Sequence, residues 1–295
     1  MTARDERVAM TSFLAGGLLA GGNAVCIRYS NRELAPYWGA GLRFVLAAAV
    51  SLALVALFRI GLPRGRALRG AALYGLFQFG GSFGLAYYAL VRIHAGLGQT
   101  LLALVPLATL LVAVAQRQER LRVAAAVGAV VAVGGVAVMS RASVAGSLPP
   151  LSLLAILGSV FCFAEAAVLV RRLPAVQPFA MNAVGMTSAA LLLVVIAAIK
   201  REPFAIPRRM ETWIAIGYIV AIGSVVVFAL ALLVLRYWEA SRYAYLFVIV
   251  PPVTIAVSAW LLDEPVGWPL VLGGLLILAG VYIGALRPAR LAART

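Results

Sequence analysis

The sequence predicts an all-α, polytopic membrane protein with ten transmembrane helices in two inverted five-helix repeats, and three observations carry that expectation. Hydrophobic residues fill 64% of the 295 positions and charged residues 12%, about half the charged share of a soluble domain; the mean hydropathy is +1.02. Apolar runs of about 20 residues, the length that crosses a bilayer as a helix, recur ten times. Shifting the chain by 145 residues places Ala86 on Ala231, Leu90 on Leu235, Ala95 on Ala240, Pro106 on Pro251, Thr109 on Thr254, Glu119 on Glu264, Gly128 on Gly273 and Gly135 on Gly280 without a gap. An offset near half the chain length reads as duplication, with one repeat over 1–145 and the other over 146–295.

The first run, near 8–29, follows MTARDERVAM, exceeds the apolar part of a signal peptide and is followed by no convincing cleavage site; it reads as a retained helix. Its polar residue, Asn23, hydrogen-bonds either a substrate carboxylate or amide, or a neighbouring helix. The second run, 36–58, opens on Pro36 and carries Arg43. In the third, 68–90, Tyr74, Gln78 and Ser82 recur at i, i+4 and i+8 beside Gly75 and Gly81, a polar face expected to look on to an aqueous cavity or another helix. The fourth, 94–115, begins with Gln99 next to Gly96 and Gly98, a second cavity candidate. Pro106 in that run and its counterpart Pro251 each remove a helix hydrogen bond and are expected to kink their spans, as gating hinges or as packing kinks. The fifth run, 121–139, is glycine-rich.

The sixth run, 149–171, holds Glu165, the one acidic residue well inside a span, with Cys162 on the same face. A charge at the centre of a membrane helix costs about 2.5–3.5 kcal/mol. Glu165 therefore either faces a cavity, binding a substrate ammonium or a coupling proton, or pairs with Arg171 or Arg172 as a tie between helices. Asn23 and Glu165 stand 142 residues apart, as do Pro36 and Pro178, so each falls about 7 Å from the midplane on opposite sides at about 1.5 Å rise per residue. The seventh run, 177–199, is almost wholly apolar; the eighth, 211–235, adds Tyr218 and Ser224 as further cavity candidates. In the ninth, 241–262, Tyr243, Tyr245 and Phe247 cluster, either to stack on an aromatic substrate or cation or to form an interfacial belt. The tenth run, 266–287, closes the chain. Glu119 and Glu264 fall in the short turns after the fourth and ninth runs and are expected to cap the next helix in each case. The five tryptophans, Trp38, Trp213, Trp238, Trp260 and Trp268, sit near predicted helix ends and read as belt residues.

With the N-terminus inside, the inner loops hold 16 arginines and the outer loops 8 basic residues, so both termini are expected on the cytoplasmic side. All basic residues but Lys200 are arginine, a bias that suggests a bacterial source. The net charge of +15 is spread between apolar runs instead of forming a nucleic-acid-binding stripe. Cys26 and Cys162 lie inside apolar runs with no disulfide or metal spacing, His94 stands alone, and no His-Glu-x-x-His, phosphate loop or paired aspartates suggest an enzyme. An odd number of spans per repeat inverts the second repeat, the layout secondary transporters use to expose a midplane site to each side in turn.

The doubled unit, Pro106 with Glu119, Gly128 and Gly135, then Pro251 with Glu264, Gly273 and Gly280, in a ten-span chain, resembles the drug/metabolite transporter superfamily with its paired EamA-type repeats. The resemblance covers essentially the whole chain. Pro36 followed by Arg43 is similar to the same pattern, although the region after Pro178 has no matching arginine. Within the superfamily the chain is most similar to the YddG type of aromatic amino-acid exporter. What this implies is alternating-access export of amino acids, aromatic ones preferred, across a bacterial inner membrane, through a cavity between helices 1, 3, 4, 6, 8 and 9. Substrate contacts are expected from Asn23, Tyr74, Gln78, Ser82, Gln99, Glu165, Tyr218 and Tyr243, with hinges at Pro106 and Pro251, no cofactor, no metal and no nucleic acid. A drug or nucleotide sugar is the alternative substrate, and a membrane structural or signalling protein the alternative class.

Overall fold

The computed structural model describes residues 3–119, 123–141, 149–174, 176–227, 230, 233, 234, 237, 238 and 246–286. They form no strand and ten helical spans. The first half contributes α1 (Ala3–Ser30), α2 (Pro36–Leu57), α3 (Gly65–Gly75, a π-helix over Leu76–Gly81, then Ser82–Ala89), α4 (Ala95–Leu102 and Val105–Ala115) and α5 (Val123–Arg141). The second contributes α6 (Pro150–Val170), α7 (Pro178–Ile199), α8 (Met210–Gly217, then a π-helix over Tyr218–Val226), α9 (Leu246–Leu262) and α10 (Trp268–Val281, then a π-helix over Tyr282–Leu286). Among the described residues α1, α2, α4, α6 and α7 are each long and apolar enough to cross a membrane, and α5, α8, α9 and α10 are shorter apolar helices.

Local chemistry sets the ends. Pro36, Pro150, Pro178 and Pro269 occupy the first turns of α2, α6, α7 and α10, where a missing N–H costs no hydrogen bond. After α2, α4, α7 and α9 the chain turns through Arg59, Arg117, Arg201 and Asp263 at positive φ, and Ile60, Gln118 and Glu202 donate back to Val55, Ala113 and Ala197, closing three of these ends as Schellman turns.

Two sets of contacts show that successive spans run antiparallel. At the end away from the termini, Glu33 accepts from the backbone N–H of Arg208 and Arg209, Trp38 N donates to Glu202 at 2.8 Å and its indole to Ala205 O at 2.7 Å, and Tyr29 bonds Leu261 O. The Thr212 hydroxyl, with the Arg208 N–H after it, holds the Glu33 carboxyl below the usual range. At the terminal end, Arg171 meets Glu119 and the Trp238 indole donates to Glu6. Trp238 is 6% exposed and tilted against Phe13, so it is a packing residue instead of the belt residue its position suggested. The belt reading rests on helix ends facing lipid, whereas this one is covered by α1.

The halves interlock. Helix α2 packs along α7 and α5 along α10, while α1 lies against α8 and α9 and, correspondingly, α6 lies against α3 and α4. Glycine permits close approach along the α5–α10 seam: a Cβ on Gly135 would stand 2.6 Å from Gly273 O, and one on Gly280 2.5 Å from Gly128 O. Those four glycines are the ones matched by the 145-residue repeat. The fourth span breaks at residues 103–104, just before Pro106, into two helical segments, whereas α9 runs unbroken through Pro251 and Pro252. Between Tyr74 and Ser82 the third span passes through a π-helix over Leu76–Gly81, whose wider turns replace the α-helical spacing on which the Tyr74, Gln78, Ser82 stripe was drawn.

Tyr243 and Tyr245 lie outside the described residues, as do Ala231, Leu235 and Ala240 of the repeat match and Arg120, Arg122, Arg236, Arg242, Arg287, Arg290 and Arg294 of the charge count; the side chain of Phe247 is likewise outside.

Candidate functional site

The π-helices of α3 and α8 begin 142 residues apart, at Leu76 and Tyr218, the offset that also relates Asn23 to Glu165. Each contains or abuts a Gly-Ser pair, Gly81-Ser82 and Gly223-Ser224. Ser82 Oγ donates to Gln78 O and Ser224 Oγ to Ile219 O, so each buried hydroxyl is satisfied by its own helix. The glycines let the first helix of each half approach: a Cβ on Gly81 would stand 2.8 Å from Cys162 Sγ of α6, and one on Gly223 would collide with Asn23 Oδ1 of α1. π-turns recur at functional sites because they re-aim side chains at the cost of local regularity. Here they bring α3 onto the Cys162 face of α6 and α8 onto the Asn23 face of α1.

On that α6 face Glu165 is half-buried, and Gln116 Nε2 at the end of α4 donates to both its oxygens, at 2.9 and 2.7 Å. The arginines proposed as its partners go elsewhere: Arg171 pairs with Glu119 at 2.7 Å, and Arg172 Nη2 donates to Gln116 O at 3.0 Å. They lie beyond the helix end, six and seven residues on, and α4 arrives between. Glu165 thus meets a neutral amide donor, which leaves its charge available to a ligand cation or a proton.

At the opposite end of the bundle Glu264 is 8% exposed. It does not cap the next helix in the chain. Its carboxylate instead accepts from Ala95 N at 2.9 Å and Gly96 N at 3.4 Å, the open N-terminus of α4, and meets Arg28 Nε of α1 at 3.1 Å. Arg28 also donates to Ile93 O. A buried carboxylate needs several donors, and the α4 terminus with its free N–H groups and positive dipole end supplies them. Glu119, the repeat mate of Glu264, is held by Arg171 with both side chains largely in the open, at 36% and 54% exposure. Arg171 follows Arg28 by 143 residues, so each tie joins the end of a fourth helix of one half to the first helix of the other.

The remaining predicted site residues are spread through this frame. Tyr74 stands edge-on to Phe79 inside the core shared by α1, α2, α3, α7 and α8. Ser82 is fully buried with its hydroxyl turned to its own helix. Gln78 and Gln99 are half-buried, one in the π-turn of α3 and one in the first segment of α4. Asn23 is half-buried, and its Oδ1 has no hydrogen-bond partner. Tyr218 donates to Leu19 O at 2.7 Å and lines a cavity of about 400 Å³ between α1, α8 and α9, with Gly22, Cys26 and Val257. A second cavity of about 310 Å³, wholly apolar, lies between α4, α5 and α6. Sequence reasoning missed Gln116 as the partner of Glu165. It also missed the π-turns, whose signal was available in the recurrence of Gly-Ser at a 142-residue offset.

The sequence profile of the EamA-like transporter family matches residues 7–141 and again 150–285. An uncharacterized transporter of Archaeoglobus fulgidus is 27% identical over 272 residues, 87% of this chain and 91% of that protein. A protein crystal structure superposes with a TM-score of 0.65 at 20% identity, over 97% of this chain and 98% of that one; at that identity the likeness speaks to the fold.

Proposed function

From the premise that this chain belongs to the EamA-like transporter family and is a multi-pass membrane transporter of a small molecule, we propose that it exports amino acids, aromatic ones preferred, by alternating access between two inverted repeats, 1–145 and 146–295, in a bacterial inner membrane with both termini cytoplasmic. The observation that carries this reading is the pair of ties at opposite ends of the bundle, Arg28 with Glu264 and Arg171 with Glu119. Each joins the same elements of opposite halves, so opening one while the other holds exposes the interior to one side at a time. The buried tie is the one away from the termini, so this conformer is sealed at that end.

In the proposed cycle a solute enters from the terminal end and its ammonium group meets the Glu165 carboxylate, displacing the Gln116 amide. The polar residues of the α3 and α8 π-turns and Gln99 line its way. Pro106, at the break in α4, is the hinge that lets the outer segment of that helix swing off Glu264, and Pro251 serves α9 in the same way. Tyr243, placed by sequence at the terminal end of α9, joins the entry side.

The test is uptake of labelled phenylalanine and alanine into liposomes holding the purified protein, with and without an imposed pH gradient. Phenylalanine flux is expected to saturate and to exceed alanine flux. Glu165→Gln is expected to cut it about tenfold or more, since a hydrogen bond to a charged group is worth about 1.5–3 kcal/mol. Full flux in that variant removes Glu165 from the site. A wild-type protein that moves neither amino acid overturns the substrate assignment in favour of a drug or nucleotide sugar.

A further inference from the structure

Arg43 is the largest fully buried side chain among the described residues, 2% exposed, seven residues into α2 and so about 10 Å below the end of the helix. Its guanidinium is stacked between aromatic faces, 5.1 Å from the centre of Phe44 and 4.4 Å from that of Phe83. Nε and Nη1 have no hydrogen-bond partner. The Tyr87 hydroxyl faces the guanidinium at hydrogen-bonding range, and Cys26 lies close enough to interact with it electrostatically; neither supplies an acceptor to Nε or Nη1. The ion pairs of Arg28 with Glu264 and of Arg171 with Glu119 do not include Arg43. Aromatic faces offset part of the cost of a buried cation but leave Nε and Nη1 without acceptors, and unpaired donors of a buried charge in an apolar interior are costly.

We infer that Arg43 is a carboxylate-binding site, occupied by the carboxylate of an aryl-bearing solute during transport. The inference deepens the amino-acid reading given above and rests on it for the identity of the solute. The fork geometry of arginine matches a carboxylate with two parallel hydrogen bonds. Cys26, close enough to Arg43 to interact with it electrostatically, stands between the guanidinium and the cavity of about 400 Å³ between α1, α8 and α9 that Cys26 lines with Tyr218 and Glu211, a volume within the range of about 300–1,000 Å³ for small-molecule sites. Asn23, one turn earlier on the same face of α1, offers its unpartnered Oδ1 to the ammonium of the same solute. The flanking rings form a continuous series, Phe44 to Phe79, Phe44 to Phe83, and Phe83 to Phe163 of α6, at centroid distances of 5.6, 5.4 and 5.5 Å. Phe163 stands on the same helix as Glu165, two residues before it, so the aromatic series links the guanidinium to the helix that carries the carboxylate. A zwitterion is then met first through its ammonium and later through its carboxylate.

The experiment is the thermal stability of the full chain in detergent with 3-phenylpropionate, phenethylamine or phenylalanine, for the wild type, Arg43→Met and Arg43→Lys. Both carboxylates are expected to raise the wild-type Tm by about 5 °C near saturation, and phenethylamine by much less. Arg43→Met is expected to keep or raise the basal Tm, because an apolar side chain of similar length replaces an unpaired buried charge, and to lose the shift from both carboxylates. Arg43→Lys, which retains charge without the fork, is expected to keep a smaller shift and carries the comparison if the Met variant does not fold. A purely structural arginine predicts the reverse, a lower basal Tm in Arg43→Met with ligand shifts intact, and that result overturns the site. So does a wild type that no carboxylate stabilises. If 3-phenylpropionate acts through Arg43 but phenylalanine neither binds nor is transported, the carboxylate site stands and the amino-acid reading falls.

Discussion

Replacing Glu264 by alanine is expected to loosen the end of the bundle away from the termini and to cost about 3–5 kcal/mol, the usual penalty for removing one partner of a buried ion pair. The loss has two parts: Arg28 keeps its charge in a site where it is only 24% exposed, and the first N–H groups of α4 lose the acceptor that Ala95 and Gly96 now share. The equivalent change at Glu119 breaks a tie whose members are 36% and 54% exposed, where solvent screening leaves about 0–1 kcal/mol at stake. The check is Tm together with labelling of a cysteine placed at Ser258, which is 2% exposed beside Gly96, by a membrane-impermeant reagent. Faster labelling in Glu264→Ala and little change in Glu119→Ala are expected. Equal effects of the two substitutions on Tm and labelling would remove the asymmetry on which the sealed-end reading depends.

A second large stability effect is expected at the seam between α5 and α10. Gly135→Ala puts a methyl group 2.6 Å from Gly273 O, and Gly280→Ala puts one 2.5 Å from Gly128 O. The obstacle is backbone in each case, so no rotamer change relieves it and the helices must separate along the seam. Overpacking of this kind costs about 1–3 kcal/mol and occasionally more, and valine at either position is expected to prevent recovery of folded protein. Gly134 provides the control on the same helix, since nothing lies within 4 Å of a Cβ built there. Gly134→Ala is expected to be neutral or stabilising by about 0.5–1 kcal/mol, the ordinary advantage of alanine over glycine inside a helix. Monodisperse protein surviving a heat step, compared across the three alanine variants, decides it. A Gly134→Ala variant as damaged as the other two would show that helix α5 resists any change, not that the seam is tight.

Much of the fold was legible because lipid permits few alternatives. A chain with so little charge must satisfy its backbone inside each span, so run length and composition gave the helices, and the paired Pro, Glu and Gly positions gave the duplication. Glycines 128, 135, 273 and 280 were visible as a pattern; that they face one another across α5 and α10 was not, since a repeat offset states equivalence and says nothing of contact. The same gap explains Glu264. Sequence placed it before α10 and suggested the nearest helix terminus, whereas the chain delivers it to α4, 169 residues away. Position along a chain ranks local partners first, and in a bundle whose first helices pack on the other half the nearest donors are distant in sequence.

Span count, the duplicated unit and the placement of Glu165 and Arg43 inside apolar runs were determined by the sequence alone, because hydropathy and charge act residue by residue against the bilayer. Tertiary structure alone decided which partners those charges have: Gln116 for Glu165, the α4 terminus for Glu264, and for Arg43 two aromatic faces, with Nε and Nη1 left unpaired. It also decided the break before Pro106 while α9 continued through Pro251. Hydrogen-bond satisfaction in a low-dielectric interior depends on which helix arrives alongside, and that is fixed only when all ten are packed.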